Sequence, residues 1–502
     1  MFLSAVLIIL ICIGMNYLIS NYRKQLPLIR AANLLPGPKT KPIIGNAYYF
    51  LQRNFDEYLQ SICLLTDIYP SPFRLWFGNN LLIFVTEPDH VKTILQSPSC
   101  LNKSMMYNHF KAWLGMGVFT APAPIWVEHR KMIASSFNTN ILRVFLDTFV
   151  EQASILMDKL EHMVGEEVDL FHYIAMCTLD IISGTSLGIK LESQSNQNDQ
   201  YVKALERLKE IIFQRTRNIF LFPDIIFHLT SLNREQQKHL NFIHSTTEQV
   251  IRQKEEARNN PDTTKTECAK PPRRVFLDVL MEASNKGKKF TRKNIHDEIN
   301  TMCAAGTDTT AVTMNFTIFM LANHPEIQEK VYEELLKIYG TQDPKSAPVK
   351  FEDLQHMNYL ERVIKETLRL FPVAPLIGRR LTEDLTIGGH TLPKGANALI
   401  TSLALHRNEK YWPNALTFDP DRFLPENMTN IHPYCYIPFS NGPRNCIGIK
   451  YAMASMKVII ATLLRTYTLK VDRRIEIAEI KLKTIITLAS CDPLKVRIEK
   501  RN

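Results

Sequence analysis

Residues 438–452 read PFSNGPRNCIGIKYA, a stretch suited to a rigid loop that runs into a helix. Gly442 permits a tight turn that a Cβ would hinder. Pro443 fixes φ directly after it and removes one backbone donor. Gly448, two residues past Cys446, lets the backbone lie close to a bulky partner. From 450 to 465 apolar residues recur at helical spacing, at Ala454, Val458, Ala461 and Leu464. Cys446 therefore stands just before a helix, where unpaired backbone N–H groups favour a thiolate. A lone cysteine would be read as a buried structural residue. Here five defined positions fall within ten residues: Phe439, Gly442, Arg444, Cys446 and Gly448. Chance is a poor account of them.

The pattern F-x-x-G-x-R-x-C-x-G resembles the haem-binding loop of the cytochromes P450, where a cysteine thiolate is the proximal ligand of haem iron. The resemblance implies haem b as cofactor and Cys446 as the iron ligand. It further implies that Phe439 packs near the sulfur, that Arg444 reaches a haem propionate, and that the 447–448 backbone tunes the sulfur. The fold it implies is mainly α with a small β-sheet region.

Three more motifs follow in the order the resemblance requires. Trp126 and Arg130 are four apart and share a helix face. On its own that is an aromatic packed on an alkyl stem; in the family the same pattern donates to haem propionates, a task suited to the arginine fork. Residues 291–322 read as a long helix whose middle, Ala305-Gly306-Thr307-Asp308-Thr309-Thr310, is small and poor in helix formers. Such a stretch loosens the backbone ladder and invites water or a kink, and a tight helix crossing would also call for it. The resemblance makes the small residues room for oxygen, and makes Asp308 and Thr309 a proton path. Glu366 and Arg369 lie three apart on one helix face, and Arg422 follows a proline turn. In the family these three form a buried structural cluster behind the haem loop. Arg379 is the expected propionate partner in the stretch 375–380, with Arg380 second.

The surrounding text resembles family 4 of the cytochromes P450, insect-type microsomal members above all. Many of those carry a glutamate before the glycine of the distal helix that can bond covalently to haem. Here the position is Ala305, which implies non-covalent haem.

Residues 2–19 hold no charge, and as a helix they span roughly 27 Å, close to a bilayer's hydrocarbon thickness. The basic residues Arg23, Lys24 and Arg30 come after the run, which favours an anchor over a cleaved signal and keeps the body cytosolic. The reading is an anchor over 1–22, a basic and Pro-rich hinge over 23–46, and a catalytic domain over 47–502. Location on the endoplasmic reticulum follows from the resemblance. The nine cysteines are scattered without a C-x-x-C pair, which argues against a disulfide framework or zinc module. A formal charge of +10 suits an anionic membrane or an acidic partner, and no basic run points to nucleic acid. The apolar stretch 219–227 reads as a buried connector or, as the resemblance equally implies, as a loop dipping into the bilayer. The polar stretch 259–274 reads as an exposed loop. Two apolar runs, 481–489 and 494–498, suggest a terminal hairpin with its turn at 489–493, and 393–395 reads as a hairpin turn.

No flavin or nicotinamide fingerprint is present, so electrons come from outside. By family analogy the donor is the NADPH–cytochrome P450 reductase, with cytochrome b5 as a further partner. Lys131, Lys450 and Lys457 are candidate docking residues. The expected activity is insertion of one oxygen atom from O2 into a small apolar substrate. A ligand-binding haem protein and a reductase-independent isomerase are the alternatives, and neither needs the relay implied at Asp308 and Thr309. Substrate positions fall in 97–124, 201–229, 373–377 and 487–493.

Overall fold

Thr291 fixes where the longest helix begins. Its hydroxyl accepts from the Asn294 N–H while the Asn294 side chain accepts from the Thr291 N–H, so two orphan donors are satisfied reciprocally. The structure is a computed structural model that describes residues 16, 20, 23, 25–51, 54–195, 200–259, 275–285 and 290–501. The expected anchor lies outside these residues except at Asn16 and Ser20, and 260–274 lies outside them altogether. Among the described residues no helix is long and apolar enough to cross a membrane.

Twelve of the described helices frame the molecule. They are α1 Phe55–Ile68, α2 Pro88–Gln96, α3 Ala123–Ile133, α4 Thr139–Leu160, α5 Phe171–Ile182 and α6 Gln200–Arg217. Then follow α7 Ser231–Asn259, α8 Phe276–Asn285, α9 Arg292–Asn323, α10 Pro325–Tyr339, α11 Asn358–Leu370 and α12 Ile449–Thr466. The helical text of 148–187 is broken in the structure at 161–170, where Gly165 and a short strand separate α4 from α5. The capped helix, α9, is buried on nearly every side from Thr310 to Asn323, and it shares one large core with α4, α5, α11 and α12.

A five-stranded sheet flanks that bundle. Its strands are β1 Phe73–Phe77, β2 Asn80–Val85, β3 Asn102–Lys103, β5 Leu376–Arg380 and β8 Asn397–Thr401, in the order β1-β2-β8-β5-β3. The β2–β8 pair is parallel and the others antiparallel. Strand β4, Glu167–Asp169, belongs to a second sheet with β9, Tyr467–Lys470, and β12, Lys495–Lys500. Residues 36–46 are pinned along β1: Arg74 N–H bonds the Pro36 carbonyl at 2.8 Å and Asn46 bridges the Lys39 carbonyl and the Trp76 N–H.

Two turns differ from their sequence reading. Residues 393–395 join β7, His390–Leu392, to β8 in another sheet; the hairpin there is β6, Leu385–Ile387, with β7, turned by Gly388 and Gly389. The terminal hairpin is β10, Leu482–Ile485, with β11, Thr487–Ser490, so its tip is Ile486 and not 489–493. Lys495–Lys500 pairs instead with β4 and β9.

Candidate active site

The cysteine loop is shaped by Gly442, whose φ is +73°. A Cβ at that position would lie 2.1 Å from the Leu95 carbonyl oxygen, so no other residue fits without moving backbone. The turn brings Asn445 N–H to the Gly442 carbonyl at 3.1 Å and Cys446 N–H to the Phe439 carbonyl at 2.9 Å. Phe439 packs against the main core. Gly448 is the N-cap of α12, and its N–H bonds the Cys446 sulfur. The sulfur thus sits at the positive end of a helix dipole. Arg130 of α3 clamps the loop through two bonds to Asn445, one to its carbonyl at 2.9 Å and one to Oδ1 at 2.7 Å.

Cys446 is the one exposed cysteine among the described residues. Burial nevertheless pushes its thiol pKa up, against the Gly448 N–H and the charges of Arg130 and Lys103. Both are true of a side chain that faces a space enclosed by protein.

Three cations converge beside that space. Arg379 of β5 stands directly across the ladder from Lys103 of β3, a like-charge pairing that is unfavourable by itself. Arg379 is 1% exposed, and its guanidinium has weak partners, the Gly378 carbonyl at 3.1 Å and Ser440 Oγ at 3.4 Å. Arg444 lies over the buried Trp126 ring at 4.7 Å and donates to the Ala121 carbonyl. Its Nε and Nη1 are buried without a partner. Burial, then the charge of Arg379, pulls the Arg444 pKa down to about 9. Burial, then the charges of Arg379 and Arg444, holds Lys103 well below the usual ammonium range. Its Nζ rests over the Tyr107 and Phe119 rings at 4.7 and 4.9 Å. Arg130 also acts on the sulfur by its charge, and two of its donors are given to Asn445 of the loop. Arg380 points to solvent.

On α9 the helix runs unbroken through 305–310, where the sequence suggested a loosened ladder. Thr309 Oγ1 donates to the Ala305 carbonyl at 2.6 Å, Thr313 does the same to Thr309 at 2.9 Å, and Thr178 of α5 donates to the Thr307 carbonyl at 3.0 Å. Those hydroxyls are satisfied on ladder carbonyls without interrupting the helix. Gly306 faces α5: a Cβ there would sit 2.6 Å from Ile182 Cδ1. The glycine therefore serves a close helix crossing, and Ala305 is the exposed residue at mid-helix. Asp308 turns away from Thr309. It is paired with Lys209 of α6 and accepts from Thr487 Oγ1 at 2.8 Å.

Glu366, Arg369 and Arg422 come together. Both Glu366 oxygens accept from Arg369 at 2.7 Å, with both side chains fully buried. Asp419 N–H adds a bond at 3.0 Å and Arg422 Nε lies 3.5 Å away. The remaining Arg369 donors meet the carbonyls of His406 and Thr417. His406 Nε2 in turn accepts the Ile437 N–H at 2.8 Å, one residue before the cysteine loop.

An accessible thiol on a helix-entry loop, unpaired buried cations beside it and a small-residue helix define a haem-thiolate site within a mainly helical fold. The family model for cytochrome P450 matches residues 35–493. The chain is 37% identical to cytochrome P450 4c3 of Drosophila melanogaster over 97% of this chain and 93% of that protein. It is 36% identical to cytochrome P450 4V2 of Homo sapiens over 92% and 88% respectively. With cytochrome P450 4c21 of Blattella germanica the identity is 34% over 100% and 99%. The chain belongs to the cytochrome P450 family and is a haem-thiolate monooxygenase that binds haem b.

The residues present fit that cofactor. Haem is flat and carries two carboxylates; Lys103, Arg379 and Arg444 form a cationic set in which, among the described residues, no member is ion-paired, with unfilled donors on Arg444. Sequence reasoning missed Lys103, Lys209 and Thr487. No local pattern marks them, because each finds its partner across the fold.

Proposed function

We propose that the chain oxygenates a small apolar substrate with electrons from NADPH, delivered by a membrane-bound reductase with cytochrome b5 as a further donor, and that Cys446 is the thiolate ligand. When bound, haem supplies the activation of O2, one atom of which enters a C–H bond while the other leaves as water. The observation that carries the reading is the accessible sulfur of Cys446 in a space enclosed by protein. Around it, the residues have separate tasks. Lys103, Arg379 and Arg444 orient the cofactor's carboxylates. Arg130 and the Gly448 N–H hold the loop and the sulfur. Asp308 and Thr309 hold and pass the protons that water formation consumes. Ala305 offers no carboxylate for a covalent link, so haem is held without one.

An apolar substrate suits the surroundings. Three of the four stretches expected to contact it, 97–124, 201–229 and 373–377, send Met105, Phe213 and Leu376 into one apolar cluster, where they pack with Leu399, Ile485 and Ile486. The stretch 219–227 divides between its two readings. Phe227 is buried, whereas Phe220, Ile225 and Ile226 are exposed, Ile225 at 81%. Gly78 lies between Ile219 and the backbone of Ile43, itself 89% exposed. Hinge and loop thus form one apolar face, which we assign to the surface of the endoplasmic reticulum membrane, beside the 1–22 anchor and with the 47–502 body in the cytosol. Reductase docking keeps Lys131 and Lys450, both exposed. Lys457 is not free to dock: it is buried and bonds Glu361 at 2.6 Å and the Leu354 carbonyl at 2.8 Å.

The test is the carbon monoxide difference spectrum of the reduced holoprotein. The strongly red-shifted band of thiolate ligation is expected in the wild type and in Cys435→Ser, and its loss in Cys446→Ser. Substrate-dependent NADPH oxidation with reductase is expected alongside. A spectral shift on ligand binding without NADPH use for any ligand would overturn the oxygenase reading.

A further inference from the structure

Strand alternation sends neighbouring side chains to opposite faces, and in β5 this parts two arginines. Arg379 points inward to the haem-facing set, and Arg380 points out to solvent. On that outer side Arg380, Lys111 and Lys394 line one cleft of about 500 Å³. Lys103 reaches the same cleft, at the seam between its two sides. No carboxylate lines it, and amide and hydroxyl side chains such as Asn108 and Thr382 share the lining. Among the described residues none of the four cations forms an ion pair. Like charges gathered around one concavity repel one another, and a low-dielectric wall strengthens the field inside. The inner set is answered by the two carboxylates of haem. The outer set, Lys111, Arg380 and Lys394, has no such answer.

We infer that this cleft is a binding site for a small multivalent oxyanion, of the phosphate or polycarboxylate class, separate from the haem pocket. The neutral donors suit oxygen-rich groups, and the concave shape suits a small molecule. A lipid headgroup would offer the same chemistry, and the segment 107–111 that lines the cleft also meets the apolar stretch, Phe222 packing on His109 with ring centroids 4.6 Å apart. The concave shape favours a soluble ligand, and the vesicle arm of the experiment separates the two sources. Because Lys103 belongs to both sides, an anion in the cleft competes for its charge with the haem carboxylates.

The experiment uses the full-chain holoprotein in detergent, titrated with sodium pyrophosphate by calorimetry at an ionic strength held constant with sodium chloride. One saturable site is expected, weakened at least tenfold in Arg380→Glu/Lys394→Glu, whose carbon monoxide spectrum stays that of the wild type. Citrate is expected to bind the same site. No saturable heat in the wild type, or the same affinity in the variant, would overturn the assignment. Should the double reversal not load haem, Lys394→Gln and Lys111→Gln are the replacements, each expected to weaken binding about threefold. Sedimentation with phosphatidylserine vesicles separates the sources. Equal vesicle binding by wild type and variant supports a soluble ligand; vesicle binding lost with the two charges would give the site to lipid and overturn the proposal.

Discussion

Lys209 of α6 is paired with Asp308 of α9, and Thr487 at the tip of the terminal hairpin occupies the second carboxylate oxygen at 2.8 Å. One acid thus ties together the helix above the pocket, the distal helix and the hairpin. The pair is 12% and 13% exposed, dry enough for its charges to matter. If Asp308 passes protons, it has to leave Lys209 or pass them while held there. Asp308→Asn keeps an acceptor for Thr487 and removes the titratable group. The expected result is a turnover lower by about 10²-fold, a larger solvent isotope effect, and an unchanged ferric spectrum. Equal turnover and isotope effect in the variant would remove Asp308 from the proton path.

The α5–α9 crossing makes a separate prediction. A methyl at Gly306 would meet Ile182 Cδ1 at 2.6 Å and Cγ1 at 2.8 Å. Overpacking of this kind costs about 1–3 kcal/mol. Gly306→Ala is expected to destabilise by that amount, and Ile182→Ala alone by about 2–5 kcal/mol. In the double variant the added methyl enters the space that Ile182 vacated, so the cost falls below the sum. Denaturant unfolding of the four proteins reads this directly; strict additivity would place the glycine's role elsewhere, in the room left for oxygen.

Behind the haem loop, the fully buried Glu366 faces the fully buried Arg369, a backbone donor and the slightly exposed Arg422. Glu366→Ala strands the fully buried Arg369, at a cost of about 3–5 kcal/mol. Arg422 is 13% exposed and 3.5 Å away, so Arg422→Ala is expected to cost clearly less. Haem content per polypeptide after expression measures both. Normal loading of Glu366→Ala would show that the cluster does not support the loop.

Much of this architecture was legible because it is written in neighbours. The cysteine loop spans a few residues whose φ demands, capping and helix entry are local, and Thr291 signals the start of α9 by its own side chain. The hairpin tip was misplaced because Ile486, a β-branched residue at φ +78°, carries no turn signal, whereas Cys491-Asp492-Pro493 does. Lys457 looked like a docking charge because nothing near it in sequence announces Glu361. Lys103 and Lys209 were invisible for the same reason: their partners, Arg379 and Asp308, lie about 276 and 99 positions away. Residues 305–310 show the converse limit. Their composition signalled a weakened helix, yet Thr309 bonds a ladder carbonyl without breaking it and Thr178 anchors the same stretch from α5.

His406 gives the fold a defined acid sensitivity. It is fully buried, and burial, with the charge of Arg369 second, lowers its pKa from 6.5 to about 3. Its Nε2 must stay unprotonated to accept the Ile437 N–H at the entrance of the cysteine loop. The unfolded chain takes up this proton near 6.5 and the folded chain near 3, so between those values the unfolded state binds more protons. The contribution of His406 to stability is therefore complete above pH 6.5, falls as pH drops toward 3, and is gone below it. His406→Gln retains an acceptor that does not titrate in this range. The expected outcome is a lower stability at pH 7.5 and a shallower decline of the thermal midpoint between pH 6.5 and 4 than in the wild type. Haem release, followed by loss of the Soret band over the same interval, is expected to shift to lower pH in the variant, because the bond protecting the loop no longer depends on a proton. Parallel profiles for the two proteins would assign the acid sensitivity to other groups.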